Sequence, residues 1–348
     1  MENLNKIVLL GLNPTELKSV VSDLGMPAFT AKQIAEWMYV KGVASFEEMT
    51  NISKSNREKL EQNCSIGRME PIERLKSKDK TQKFLFPTSD GKFVETVFIP
   101  DHERATLCIS CQVGCKMNCM FCQTGKQGFH GNLQTSDILN QVHYVNANVG
   151  TLTNIVFMGQ GEPFDNLDNV LRTIDVLTGD YGWQWSPHRI TVSTCGLKKG
   201  LHRFVTECDC NLAISLHSPI PEQRAMLMPS EKAYSVTDMV KDLQKYDFSH
   251  QRRLSFEYTV FKGVNDSQMH LRELIKLLSG LDCRINLIRF HALSPESAAD
   301  CPLQPASDER METMRDYLSS HGVFTTIRAS RGEDNMAACG LLSTQRKR

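Results

Sequence analysis

The chain has 348 residues, 41% of them hydrophobic and 23% charged, with 40 basic against 40 acidic side chains. That balance gives no overall attraction to nucleic acid, so a nucleic-acid role must rest on local patches. No apolar run is long enough to span a bilayer, and the short N-terminal run Ile7 to Leu10, preceded by Glu2, is not expected to be a signal peptide. Twelve cysteines, clustered and unevenly spaced, suit metal or catalytic thiols in a reducing cytoplasm better than a disulfide framework.

In chain order, Asn13-Pro14-Thr15-Glu16 opens a helix in which Leu17, Val20, Val21 and Leu24 recur at helical spacing. A second helix begins near Thr30 (Ala31, Ile34, Ala35, Met38, Tyr39), and a third covers Lys54–Asn63. These make residues 1–90 a small helical accessory domain with a linking hairpin. The run RLKSKDKTQK (74–83) is dense in positive charge. It reads equally well as a solvated loop or edge strand and as a contact for phosphates. FLF (84–86) and VETVFIP (94–100) predict hairpin strands leading into the main domain.

From Ala105 onward strands and helices alternate. Strands are predicted at 106–112, 154–159, 189–196, 211–218, 253–263, 284–291 and 324–330, with helices at 136–148, 166–177, 266–278 and 307–321. Such alternation implies a parallel sheet with right-handed crossovers. Six or so units are too few for a closed eight-stranded barrel. Residues 91–348 are therefore predicted to form a partial (β/α)6 barrel of the α/β class, with its site at the C-terminal strand ends. The tail QRKR (345–348) is expected to be disordered.

The stretch 108–129, CISCQVGCKMNCMFCQTGKQGF, holds the densest chemistry. Cys115, Cys119 and Cys122 follow a Cx3Cx2C spacing with Phe121 before the last. Three thiolates on one loop can bind three irons of a [4Fe–4S] cube and leave the fourth iron open. A zinc site would want four ligands, and Cys108 and Cys111 just upstream keep that count open. Further on, MGQGEP follows a predicted strand; its glycines let the backbone approach a ligand, and Glu162 can accept from an ammonium group. Ser193 and Thr194, Ser215-Leu216-His217-Ser218, Asn265 and His291 all fall after later strands. Each alone reads as a turn or a satisfied core residue; together they share one rim. Cys339, between Ala338 and Gly340, lies beyond the last strand. Read alone, it is a buried small residue.

Taken together, VETVFIP, CISCQVGCKMNCMFC, TGKQGF, FMGQGEP, TVSTCGL, SLHSP, LMPS, GVND, INLI and TIRASRGEDNMAACG resemble the radical S-adenosylmethionine (SAM) RNA methyltransferases of the RlmN/Cfr family, and TGKQGF resembles the RlmN branch. The resemblance covers nearly the whole chain. It implies two SAM molecules per turnover and a [4Fe–4S] cluster on Cys115, Cys119 and Cys122. It also implies methyl loading of Cys339, attack by Cys108 that ends in a disulfide, and Glu95 as proton acceptor. SAM contacts would come from Gly161, Glu162, Ser193, Ser215, Leu216, His217 and His291. The implied product is an adenine methylated at C2 in 23S ribosomal RNA, and in some members in tRNA; the Cfr alternative is methylation at C8. A flavodoxin-like electron donor, a monomeric state and a cytoplasmic location are expected with it. Gln160 stands where a methionine is common, His291 where asparagine is common, and Cys111 where serine is usual.

Overall fold

Asn13 starts the first helix, α1 (Pro14–Asp23), through a capping box. Its side chain accepts the Glu16 N–H at 2.9 Å, and the Glu16 carboxylate accepts the Asn13 N–H at 2.8 Å. Pro14 occupies the first turn, where a missing N–H costs nothing. The structure, a computed structural model, describes residues 6–248, 254–292 and 301–343; the QRKR tail lies outside them. The second predicted helix is α2 (Thr30–Ala35), which widens into a π-turn over Glu36–Val40, and the third is α3 (Lys54–Asn63). Two short strands, β1 (Ile7–Val8) and β2 (Cys64–Ser65), pair in parallel and close the helical unit. Two residues are too few for alternation to show in sequence. The Tyr39 hydroxyl ties this unit together by accepting the Gly11 N–H and donating to the Leu12 carbonyl. An ion pair from Arg172 to Glu16 at 2.6 Å joins it to the rest.

The main sheet begins with β3 (Glu73–Lys76), β4 (Gln82–Pro87) and β5 (Phe93–Asp101), which run antiparallel. The basic run 74–83 is therefore an edge strand, a tight turn and the start of β4. Its exposed charges line the sheet's open edge, as edge strands require. Next comes β6 (Arg104–Cys108), antiparallel to β5. Beyond it the predicted strand 106–112 divides. The chain leaves the sheet after β6 and forms β7 (Gln112–Gly114), which pairs with β8 (Phe129–Asn132) in a separate small sheet. This break projects the cysteine loop, including α4 (Gln123–Gln127), away from the strand it follows.

The remaining elements alternate: α5 (Thr135–Asn148), β9 (Asn154–Phe157), α6 (Leu167–Thr178), β10 (Ile190–Thr194), α7 (Lys198–Glu207), β11 (Asn211–Ser215), α8 (Pro221–Leu227), α9 (Val236–Leu243), β12 (Leu254–Val260), α10 (Gln268–Leu278), β13 (Arg284–Arg289), α11 (Asp308–Ser320) and β14 (Phe324–Ile327). The large sheet is ordered β14-β13-β12-β11-β10-β9-β6-β5-β4-β3. From β6 to β14 every pairing is parallel, so six crossovers join consecutive strands of an open, partial (β/α)6 barrel. Every residue of β12 is buried, as expected for a strand covered on both faces. No helix of the described residues is long and apolar enough to cross a membrane.

Arg224 on α8 fixes the site end of this barrel. It has no exposed surface, pairs with Glu231, and donates to the carbonyls of Leu216 at 3.0 Å, Cys195 at 2.9 Å and Ser215 at 2.8 Å. Replacing it with methionine would strand Glu231 and three carbonyls without their donor. Chemical denaturation of Arg224→Met is expected to show a loss of about 3–5 kcal/mol. A loss below about 1 kcal/mol would contradict this role.

Candidate active site

The cysteine loop is held from both ends. The Cys115 N–H donates to the Gly128 carbonyl at 2.9 Å, and the Met120 N–H donates to the Leu227 carbonyl of α8 at 2.9 Å. Gly114 has φ +74°, and a Cβ there would stand 1.7 Å from the Gly128 oxygen, so only glycine fits this crossing. Cys115, Cys119 and Cys122 line one cleft with Met117 and Phe121. The cleft encloses about 940 Å³, counting its open part. Burial pushes the Cys115 thiol up to about 12 and raises Cys119 and Cys122 as well. Such thiols ionise only when a cation displaces their protons. Three soft donors in one cleft fit a [4Fe–4S] cluster, whose thiolates each bind a different iron. Among the described residues no group of three His, Cys, Asp or Glu side chains is placed to hold a single metal ion. Cys111 is buried away from the cleft.

The strand ends supply the facing wall. Gly161 has φ +101°, and a Cβ there would meet the Gln112 side chain at 2.5 Å. Glu162 lines the cleft but is already held: Oε1 accepts from the Phe164 N–H and the Thr194 hydroxyl, and Oε2 from the Cys195 N–H at 2.8 Å. Burial raises its carboxyl despite these donors. Ser193, Ser215 and His217 also line the cleft. His217 sits at φ 53°, and its Nδ1 accepts the Thr259 N–H at 2.9 Å. Burial and then the charge of Arg224 push it down to about 3, so it is neutral at pH 7 with its proton on Nε2. Its ring packs edge-to-face on Phe121 at 4.6 Å, joining β11 to the cysteine loop.

Leu216 and Asn265 are placed differently. Leu216 turns into the core with no exposure and uses its N–H and carbonyl within the protein. Asn265 brackets the backbone instead, donating to the His217 and Thr259 carbonyls and accepting the Phe261 N–H. His291 lines an adjoining pocket that shares Arg328 and Cys339 with the main cleft, and its Nε2 lies 2.9 Å from the Ser330 hydroxyl. Sequence patterning missed Glu257 and Arg328, which face each other across the cleft at 3.2 Å. A single acid inside the apolar strand LSFEYTV was the available signal.

The last segment folds back over the cysteine loop. The Gln123 N–H donates to the Gly340 carbonyl at 2.7 Å, and the Thr124 hydroxyl to the Leu342 carbonyl at 2.7 Å. This puts Cys339, exposed on the cleft side, on the same wall as the three loop cysteines. Desolvation inside the cleft raises its thiol, and the Arg328 guanidinium opposes that shift. Cys108 sits beneath in an apolar cluster with Val97, Val156, Ala337 and Leu342. Burial and then the neighbouring Cys339 push Cys108 up to about 12. Glu95 is buried on the adjacent strand, and its Oε2 accepts the Ser343 N–H at 2.7 Å. Gln160 is fully buried, and its Oε1 accepts the Glu95 N–H.

The family profile of the ribosomal RNA large subunit methyltransferase N-terminal domain matches residues 7–66, and that of the radical SAM superfamily matches residues 109–278. A probable dual-specificity RNA methyltransferase RlmN of Bacteroides thetaiotaomicron is 59% identical over 99% of this chain and 98% of its own length. A dual-specificity RNA methyltransferase RlmN of Marinobacter nauticus is 41% identical over 97% of this chain and 92% of its own. The crystal structure of a radical SAM methyltransferase from Sphaerobacter thermophilus superposes with a TM-score of 0.91 at 35% identity, covering 97% of this chain and 100% of that one.

Anaerobically prepared protein is expected to carry about four iron and four sulfide per chain, and Cys119→Ala to lose both together with its visible absorption. Full iron retention in that variant would remove Cys119 from the ligand set.

Proposed function

This chain belongs to the RlmN family of radical SAM RNA methyltransferases, and on that premise we propose that it methylates C2 of an adenine in 23S ribosomal RNA, and in tRNA, through a methyl group carried on Cys339. The observation that carries this reading is the meeting of Cys339 with the three-cysteine loop in one cleft, with Cys108 packed against Ala337 and Leu342 of the same segment. Held by Cys115, Cys119 and Cys122, a [4Fe–4S] cluster would supply the electron that splits SAM into a hydrogen-abstracting radical. Every other role falls to the chain's own side chains. Gly161, Ser193, Ser215 and His217 offer close backbone approach and polar groups for SAM, and the carboxylate of Glu162 offers an acceptor for its amino group. The Cys339 sulfur is the nucleophile that takes the methyl from a first SAM. Arg328, the cation beside it, favours the thiolate. Glu95 accepts the proton lost from the adenine carbon. Cys108 then attacks the Cys339 sulfur, releases the RNA and leaves a Cys108–Cys339 disulfide for an external reductant.

RNA is proposed to reach the cleft along the β3–β4 turn. Lys76, Lys78 and Lys80 are exposed there, while Ser77 and Asp79 anchor the turn to Asp334 and Gly332 of the Cys339 segment. Against burial, the Gly332 and Thr81 donors hold Asp79 down to about 2, so the anchor persists at all working pH. The basic turn is thereby tied to the segment that carries Cys339.

Anaerobic reconstitution with 23S rRNA fragments and tRNA, followed by nucleoside analysis that resolves C2 from C8 methyladenine, tests the reaction; absence of the C2 product overturns it. The two cysteines should fail differently. Cys339→Ala should place no methyl on protein or RNA. Cys108→Ala should accumulate a protein–RNA adduct that survives denaturation and disappears on nuclease digestion; equal phenotypes without an adduct would sink the two-cysteine mechanism. Neutralising Lys76, Lys78 and Lys80 together should flatten the salt dependence of RNA binding by about two in log–log slope. An unchanged slope would return the turn to a solvated role.

A further inference from the structure

We infer that Lys83 is a positioning residue for this reaction: its ammonium orients the Glu95 carboxylate and keeps it in the proton-accepting form. The inference rests on the reading of Glu95 as proton acceptor. Lys83 closes the basic run, yet it does not share the exposure of Lys76, Lys78 and Lys80. On β4 it opposes Val97, one step diagonal to Glu95 on β5, and its Nζ lies 2.9 Å from Glu95 Oε1 with only 11% and 8% of the two side chains exposed. The same Nζ is 3.4 Å from the Met336 carbonyl.

The carboxylate is thus shared out, Oε1 to Lys83 and Oε2 to the Ser343 N–H of the Cys339 segment. The main chain of Glu95 is fixed as well, because its N–H donates to Gln160 Oε1 and its carbonyl accepts the Ser110 hydroxyl. Burial works against an ionised carboxylate here, and Glu73 on β3 adds to that effect. Lys83 is the cation that opposes both. Without it a carboxyl this buried would hold its proton and could not take another.

The experiment compares cluster-reconstituted wild type, Lys83→Met, Lys83→Arg and Glu95→Gln, each loaded with methyl on Cys339, in single-turnover methylation across the pH range. Methyl loading reports that each variant folds. Removing the counter-charge raises the Glu95 pKa, so its ionised form is lost at a higher pH on acidification. The acid limb of the Lys83→Met rate should therefore shift upward by about one to three pH units, and Lys83→Arg should restore it. A Lys83→Met rate that is unchanged, or lowered equally at every pH with the limb in place, overturns the positioning role and leaves at most a structural staple. Glu95→Gln separates the two readings. If it is inactive at every pH, the proton acceptor stands and Lys83 is judged on its own limb. If it turns over like wild type, the reading of Glu95 falls and this inference falls with it.

Discussion

A guanidinium with no access to water holds the site end of this barrel together. Carbonyls at C-terminal strand ends have no partner in the sheet beyond them, and burying them unpaired is costly. Arg224 satisfies three such carbonyls, from Cys195, Ser215 and Leu216, and is itself neutralised by Glu231. Glu231 in turn accepts the Val236 N–H at the start of α9. One charge pair thereby fixes the ends of β10 and β11 and the entry to α9. The open wall of the cleft depends on it, because Ser215 and His217 follow directly from the carbonyls it grips.

The opposite wall is built by contacts between distant parts of the chain. The cysteine loop and the Cys339 segment are more than two hundred residues apart, yet Gln123 and Thr124 donate directly to Gly340 and Leu342. The β3–β4 turn grips the same segment through Ser77 and Asp79. The segment that carries Cys339 is thus held by the loops around it but not woven into the sheet. Hydrogen bonds from loops and a turn each open at lower cost than a strand ladder.

Some of this was legible beforehand because its physics is local. The capping box at Asn13, the helix Lys54–Asn63 and the alternation from Ala105 follow from neighbours three or four residues apart or from strand length. The Cx3Cx2C loop was legible for the same reason, since a cluster's ligand spacing is a property of one loop. The resemblance added Cys108, Glu95 and Cys339 as expectations, which no spacing connects. Leu216 and Asn265 show the limit of rim placement. A strand end alternates between facing the cleft and facing the core, and Leu216 falls on the core side while the Asn265 amide is consumed by backbone groups.

The sequence by itself determined the first helices, the alternation that builds the open parallel barrel, and the family, because these depend on periodicity and on contiguous motifs. Tertiary structure decided where the charges of one short run go. Lys76, Lys78 and Lys80 face solvent while Lys83, in the same run, turns inward onto Glu95. It also decided that Arg328 and Glu257 enter the cleft, and that Cys108 packs against the segment that carries Cys339. Those outcomes depend on which strands become neighbours and which face each side chain takes, and that is settled only when the sheet is assembled.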